Sequence, residues 1–161
     1  MTSQRPLKIY LDTSIFNFAI SAQNVPLEKE ATLRLFEEIR AGKFVPYISQ
    51  VTLDEILRTP DEKRRNELIK TVEEVVPEEL PITDEVVLLA NRYIESKILP
   101  ATERNDALHI AVAAIHNLDV IVSWNFEHMV KLKTRKAVPL TNILMGYKEI
   151  EICSPLEVTG S

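Results

Sequence analysis

The chain has 161 residues, 45% of them hydrophobic and 27% charged, with a net charge of −5. Those proportions fit one globular domain over 1–161 and exclude a disordered or fibrous chain. The acidic balance also excludes a protein that holds nucleic acid through a coat of basic residues.

Lys8-Ile9-Tyr10-Leu11 opens the chain as a short β-favouring run that stops at Asp12. Pro26 to Ala41 has Leu33, Phe36 and Ile39 near helical spacing, with Gly42 placed to close a helix. A second strand is expected over Phe44 to Ser49, then a helix over Gln50 to Arg58 that Thr59-Pro60 stops. A charged helix follows from Asp61 to about Val75, and Val76 to Pro81 reads as a linker. Thr83 or Asp84 can cap a helix through Ser96, and Thr102 to Asn117 reads as an alanine-rich helix. Asp119 to Ser123 and Ile150 to Cys153 complete the strands.

Strands alternating with helices predict an α/β domain with a mostly parallel sheet, in which a ligand crevice lies beyond the carboxyl ends of the strands. No apolar run is long enough for a membrane span or a signal-peptide core. The single Cys153 allows neither an internal disulfide nor a cysteine-rich zinc site, so a reducing, cytoplasmic setting is the simpler expectation.

Several polar residues fall where that crevice is expected. Asp12, with Thr13 and Ser14, directly follows the first strand; it would equally serve as a helix cap. In the helix after the second strand, Asp54 and Glu55 are about 100° apart, so only one can lean toward a common centre while the other meets solvent. Asp106 stands at the front of a helix whose alanines at 107, 111, 113 and 114 allow close approach to the sheet. There it would also complement the helix dipole, which is a sufficient structural reason for it. His109, one turn on, reads as a hydrogen-bonded core residue because no paired-histidine pattern accompanies it, and His116 and His128 read as surface or structural. After the strand at 119–123, Ser123 and Asn125 could bond a carboxylate or water, while Trp124 and Phe126 are expected to pack.

Three carboxylates from distant segments at one sheet edge suit a hard, oxygen-liganded cation, Mg²⁺ or Mn²⁺. Such an ion makes phosphodiester hydrolysis the expected reaction. For phosphate contacts the candidates are Arg104 and the Lys131, Lys133, Arg135 and Lys136 cluster; Lys63-Arg64-Arg65 reads as a solvated face.

In combination these segments resemble the PIN-domain family over nearly the whole chain. IYLDTSIF at 9–16 is similar to the family's first strand and first acid, SQVTLDEI at 49–56 to the second, with Glu55 rather than Asp54 in the acidic role, and NDALHIAVA at 105–113 to the third, Asp106. VIVSWNFEHM at 120–129 resembles the strand end that often supplies a fourth, and YKEIEICSPLEV at 147–158 resembles the last strand and tail of VapC-type toxins. The resemblance implies a three-layer α/β/α sandwich, RNA cleavage with Mg²⁺ or Mn²⁺, a homodimer, and a small antitoxin occupying a groove near the acids. One departure stands out: the fourth position is Asn125, which brings no charge, and Glu127 would point to another side if that segment is helical. Asn125 therefore leaves open a catalytically weak PIN-like module that binds RNA or protein. A third reading is another phosphohydrolase on the same kind of sheet.

Overall fold

A computed structural model describes residues 5–21 and 25–159; the ends of the expected 1–161 domain lie outside those ranges. The described elements are β1 (Leu7–Leu11), α1 (Thr13–Ala19), α2 (Pro26–Arg40), β2 (Phe44–Ser49), α3 (Gln50–Leu57), α4 (Glu62–Val75), β3 (Glu78–Leu80), α5 (Asp84–Glu95), a 3₁₀ turn (Ala101–Glu103), α6 (Arg104–Ile115), β4 (Val120–Val122), α7 (Leu132–Leu144), β5 (Glu151–Cys153) and α8 (Pro155–Val158).

The five strands form one sheet in the order β3-β2-β1-β4-β5, and every neighbouring pair is parallel. Alternation along β1 assigns its two faces. Ile9 and Leu11 pack into a core built with α1, α2 and α4, while Tyr10 faces the opposite core built with α5 and α6. Helices on both faces make the three-layer α/β/α sandwich, and they bury both faces of the sheet as parallel pairing demands. Ala107, Ala111, Ala113 and Ala114 are all buried, so α6 lies close against the sheet as its small side chains permit.

Local chemistry sets the helix starts. Ser49 accepts the Val51 N–H to cap α3, Asp61 caps α4 through the Arg64 N–H, and Thr83, rather than Asp84, caps α5 through the Val86 N–H. Two segments depart from the expected elements. The stretch expected as a linker contains β3, an edge strand paired only with β2, in register from Tyr47 with Glu78 to Ser49 with Leu80. Residues 132–144, noted in the sequence only for basic charge, form helix α7 despite Pro139 inside it.

β1 is central: the chain first builds outward through β2 and β3, then returns to place β4 on the other side of β1. The carboxyl ends of β1 and β4 thus meet at a topological switch point, where such sheets open a crevice.

Candidate active site

Asp12 leaves β1 at that switch point. It stands at the N-cap position of α1, yet its side chain makes no capping bond. Its Oδ1 instead accepts the Ser14 hydroxyl at 2.5 Å and its Oδ2 the Ser123 hydroxyl at 2.6 Å. Asp12 is 4% exposed, and burial raises its carboxyl pKa despite the opposing pull of His109 and the two hydroxyls. A cap alone therefore does not explain this residue.

Glu55 is held from the middle of α3, half-buried, while its neighbour Asp54 is exposed, as the helical turn between them requires. Its Oε1 accepts the Thr13 hydroxyl at 2.6 Å and the His109 Nε2–H at 2.7 Å. Burial works to raise this carboxyl, but the His109 and Thr13 bonds outweigh it and the pKa falls below its ordinary value.

Asp106 lies in the first turn of α6, where Asn125 Nδ2–H donates to its Oδ2 at 3.0 Å. Burial is the main cause that lifts its pKa to about 6; the charge of Asp12 adds to the rise and His109 opposes it.

His109 joins the cluster from below. It is 1% exposed, with Nδ1 2.6 Å from the Tyr10 hydroxyl and Nε2 on Glu55. The Tyr10 hydroxyl is also 2.7 Å from Ser49 Oγ. Burial disfavours the imidazolium, but the bond to Glu55 and the charges of Glu55, Asp12 and Asp106 outweigh it, so the pKa rises. The expectation of a hydrogen-bonded core histidine holds, and its bond partner proves to be a site carboxylate. Tyr10 was not singled out in the sequence. The available signal was its position two residues before Asp12 on the same strand face.

The other candidates are placed as follows. Thr13, Ser14 and Ser123 bond the carboxylates themselves. Asn125 has both amide ends in use, since Oδ1 accepts the His128 backbone N–H at 2.9 Å while Nδ2 holds Asp106. The Glu127 side chain is 84% exposed and stands outside the cluster. Arg104 is exposed and donates to Asn91 Oδ1 at 2.6 Å. Lys131 and Lys133 line a neighbouring cavity, whereas Arg135 pairs with Glu157 at 2.8 Å. In the Lys63 to Arg65 stretch, Arg64 bonds Asn17 and Arg65 the Thr59 carbonyl. Trp124 is buried and donates to Thr32, but Phe126, expected to pack, is 53% exposed with only an edge contact to Trp124. It follows the end of β4 in a turn that carries its ring out over the surface.

The donor set is oxygen-rich. Asp12 lies within electrostatic reach of both Glu55 and Asp106, and among the described residues no lysine or arginine pairs with any of the three. Their residue types fit a hard divalent cation. As placed they do not close around one: among the described residues no three histidine, cysteine, aspartate or glutamate side chains stand near enough to hold an ion.

The fold and site together define a parallel α/β/α sandwich with an acidic centre at the carboxyl end of its central strand. The family profile described as "PIN domain" matches residues 9–127, and the chain belongs to that family. Solved structures share the fold. VapBC2 from Rickettsia felis, bound to a DNA fragment from its promoter, superposes with a TM-score of 0.57 at 15% identity over 92% of this chain and 98% of the other. VapBC-5 from Mycobacterium tuberculosis gives 0.51 at 21% identity over 92% and 99%. VapC20 from Mycobacterium tuberculosis, a sarcin-ricin loop cleaving toxin, gives 0.55 at 15% identity over 74% and 92%. No curated protein matches the chain by sequence.

Proposed function

We propose that this chain is a Mg²⁺- or Mn²⁺-dependent endoribonuclease and the toxin of a toxin–antitoxin pair, acting in the cytoplasm. The observation that carries the proposal is the gathering of Asp12, Glu55 and Asp106 at the switch point, with the buried Asp12 carboxyl accepting, among the described residues, only the Ser14 and Ser123 hydroxyls. Asp12 and Asp106 would hold the cation, with Glu55 beside them. The chemistry it supplies there is to offset charge developing on the phosphate oxygens and to acidify water.

The protein's own groups do the positioning. Ser14 and Ser123 fix both oxygens of Asp12, Thr13 and His109 fix Glu55, and Asn125 fixes Asp106. Raised pKa values at Asp12 and Asp106 mean that each carboxylate gains when a positive charge arrives. Lys131 and Lys133 are the candidates for phosphate contact outside the acidic centre. The VapBC complexes among the similar structures support an antitoxin partner; that it covers the acidic edge, and that the chain pairs as a homodimer, are what the family resemblance implies.

The test is cleavage of RNA, DNA and small phosphoesters side by side in Mn²⁺. RNA cleavage should dominate, and Asp12→Asn and Asp106→Asn should each fall at least about a hundredfold while keeping the wild-type circular dichroism spectrum. Retained cleavage in both variants would overturn the assignment. The second reading, a binding module without catalysis, is favoured by Asn125, which adds no charge and has both amide ends engaged. Intact RNA binding without cleavage by the wild-type chain would select it.

A further inference from the structure

A cavity of about 310 Å³ opens between the end of α5 and the start of α7, lined by apolar residues that include Ile94 and Pro100 and by Lys97, Lys131, Lys133 and His128. Resting on the ribonuclease reading, we propose that this cavity is a nucleotide subsite, which takes one nucleotide of single-stranded RNA beside the cleaved phosphodiester.

Four observations converge on it. The first is composition: the walls are apolar and the rim carries three lysines whose ammonium groups make no ion pair or hydrogen bond among the described residues. Lys43, Lys148, Arg5 and Arg135 are paired with carboxylates, whereas Lys63 and Lys70 on α4 are unpaired among the described residues as well, so it is the apolar recess beside them that distinguishes the three rim lysines. Unpaired cations around an apolar recess suit a group with an apolar face and a phosphate, and single-stranded RNA offers both in each nucleotide. The second is size. The volume sits at the lower end of small-molecule sites, roughly 300–1,000 Å³, which leaves room for one nucleotide.

The third is continuity with the acidic centre. Asn125 holds Asp106 through Nδ2 and the His128 backbone N–H through Oδ1, so one side chain separates the acid from a residue of the cavity wall. On the other side, Ala101 in the wall begins the 3₁₀ turn that runs directly into the first turn of α6, which carries Asp106. A chain leaving the acidic centre thus meets this recess next. The fourth is Lys97 itself. It sits just past the end of α5 with φ +59°, a left-handed conformation that glycine adopts freely and a residue with a Cβ adopts at a cost, as Val76 and Asn117 also do in this chain. A cation near a helix C-terminus also complements the helix dipole, so substitution must separate the two roles.

Lys97→Gly does so, because it relieves the backbone while removing the charge. Binding of a short, mixed-sequence, single-stranded oligoribonucleotide would be measured against salt in an Asp106→Asn background, which leaves the RNA uncut. Adding Lys97→Gly, Lys131→Ala and Lys133→Ala should weaken binding at least about tenfold and reduce the salt slope by roughly 0.7 per lost phosphate contact. Lys97→Gly alone should weaken binding while Tm stays level or rises. Removing two charges on α4, with Lys63→Ala and Lys70→Ala, should change neither affinity nor slope by comparable amounts. If the parent binds RNA and the three lysine substitutions leave affinity and slope unaltered, the subsite is wrong, the ribonuclease reading survives, and an acidic polypeptide becomes the ligand to test on those lysines. If the parent binds no RNA, both fall together.

Discussion

Tyr10 shows how a residue with no apparent chemistry can support the acidic centre. Its buried hydroxyl meets Ser49 and His109 at once, and His109 in turn holds Glu55. Tyr10→Phe removes that link and leaves the buried His109 Nδ1 without its partner, while Ser49 keeps the Val51 N–H, at about 1–3 kcal/mol. Thermal denaturation should show a lower Tm, by roughly 2–4 °C per kcal/mol; an unchanged Tm would mean that the hydroxyl is not needed. Asp106 should contribute to a pH effect. With its pKa lifted to about 6, the folded metal-free protein binds a proton that the unfolded chain has already released, and His109 and Asp12 are shifted in the same direction. Their contribution is complete at low pH and is lost as pH rises through the folded values, so Tm should fall from pH 5 to pH 8. Glu55 is lowered and acts in the opposite sense, but below this window. Asp106→Asn should flatten the slope, and a Tm that rises with pH in the metal-free protein would contradict the assigned shifts. Asp12, directly after a strand, and Asp106, at the front of a helix, stood out as candidates by position, whereas Glu55, in the middle of α3, was separated from Asp54 only by the family resemblance. The hydroxyl and imidazole partners were not legible in the sequence, because which side chain meets which is fixed only by how α3 and α6 pack across the end of the sheet.

At the scale of elements, legibility followed periodicity. α2, α4 and α5 have capped or apolar-spaced sequences that point to helices, and β1 and β2 are apolar runs with turn signals. β3 is three residues of Glu-Glu-Leu, with no alternation to read, and it is a strand only because the β2 edge is open to it. In α7 a proline lies inside the helix, a residue that costs about 3 kcal/mol in a helix interior, so local propensity argued against a helix that tertiary packing of Thr134, Val138 and Asn142 sustains. α6 makes the sharpest demand on sequence, because its buried alanines are what let Asp106 reach the end of the sheet. Ala111→Leu should overpack that contact and lower stability by about 1–3 kcal/mol. Chemical denaturation measures this directly; a neutral result would mean that α6 has room to shift.

Across the whole molecule, folding tolerates a cluster of negative charge that has no lysine or arginine partner among the described residues. His109 offsets part of it, and a divalent cation would offset the rest. Calorimetric titration of the metal-free protein with Mn²⁺ near pH 7.5, with the same titration of Asp106→Asn, tests this most directly. The wild-type chain should bind Mn²⁺ and gain Tm as it does so, and the variant should bind at least about tenfold more weakly with little gain. Equal binding by the two proteins, or none by the wild type, would contradict this role for the cation.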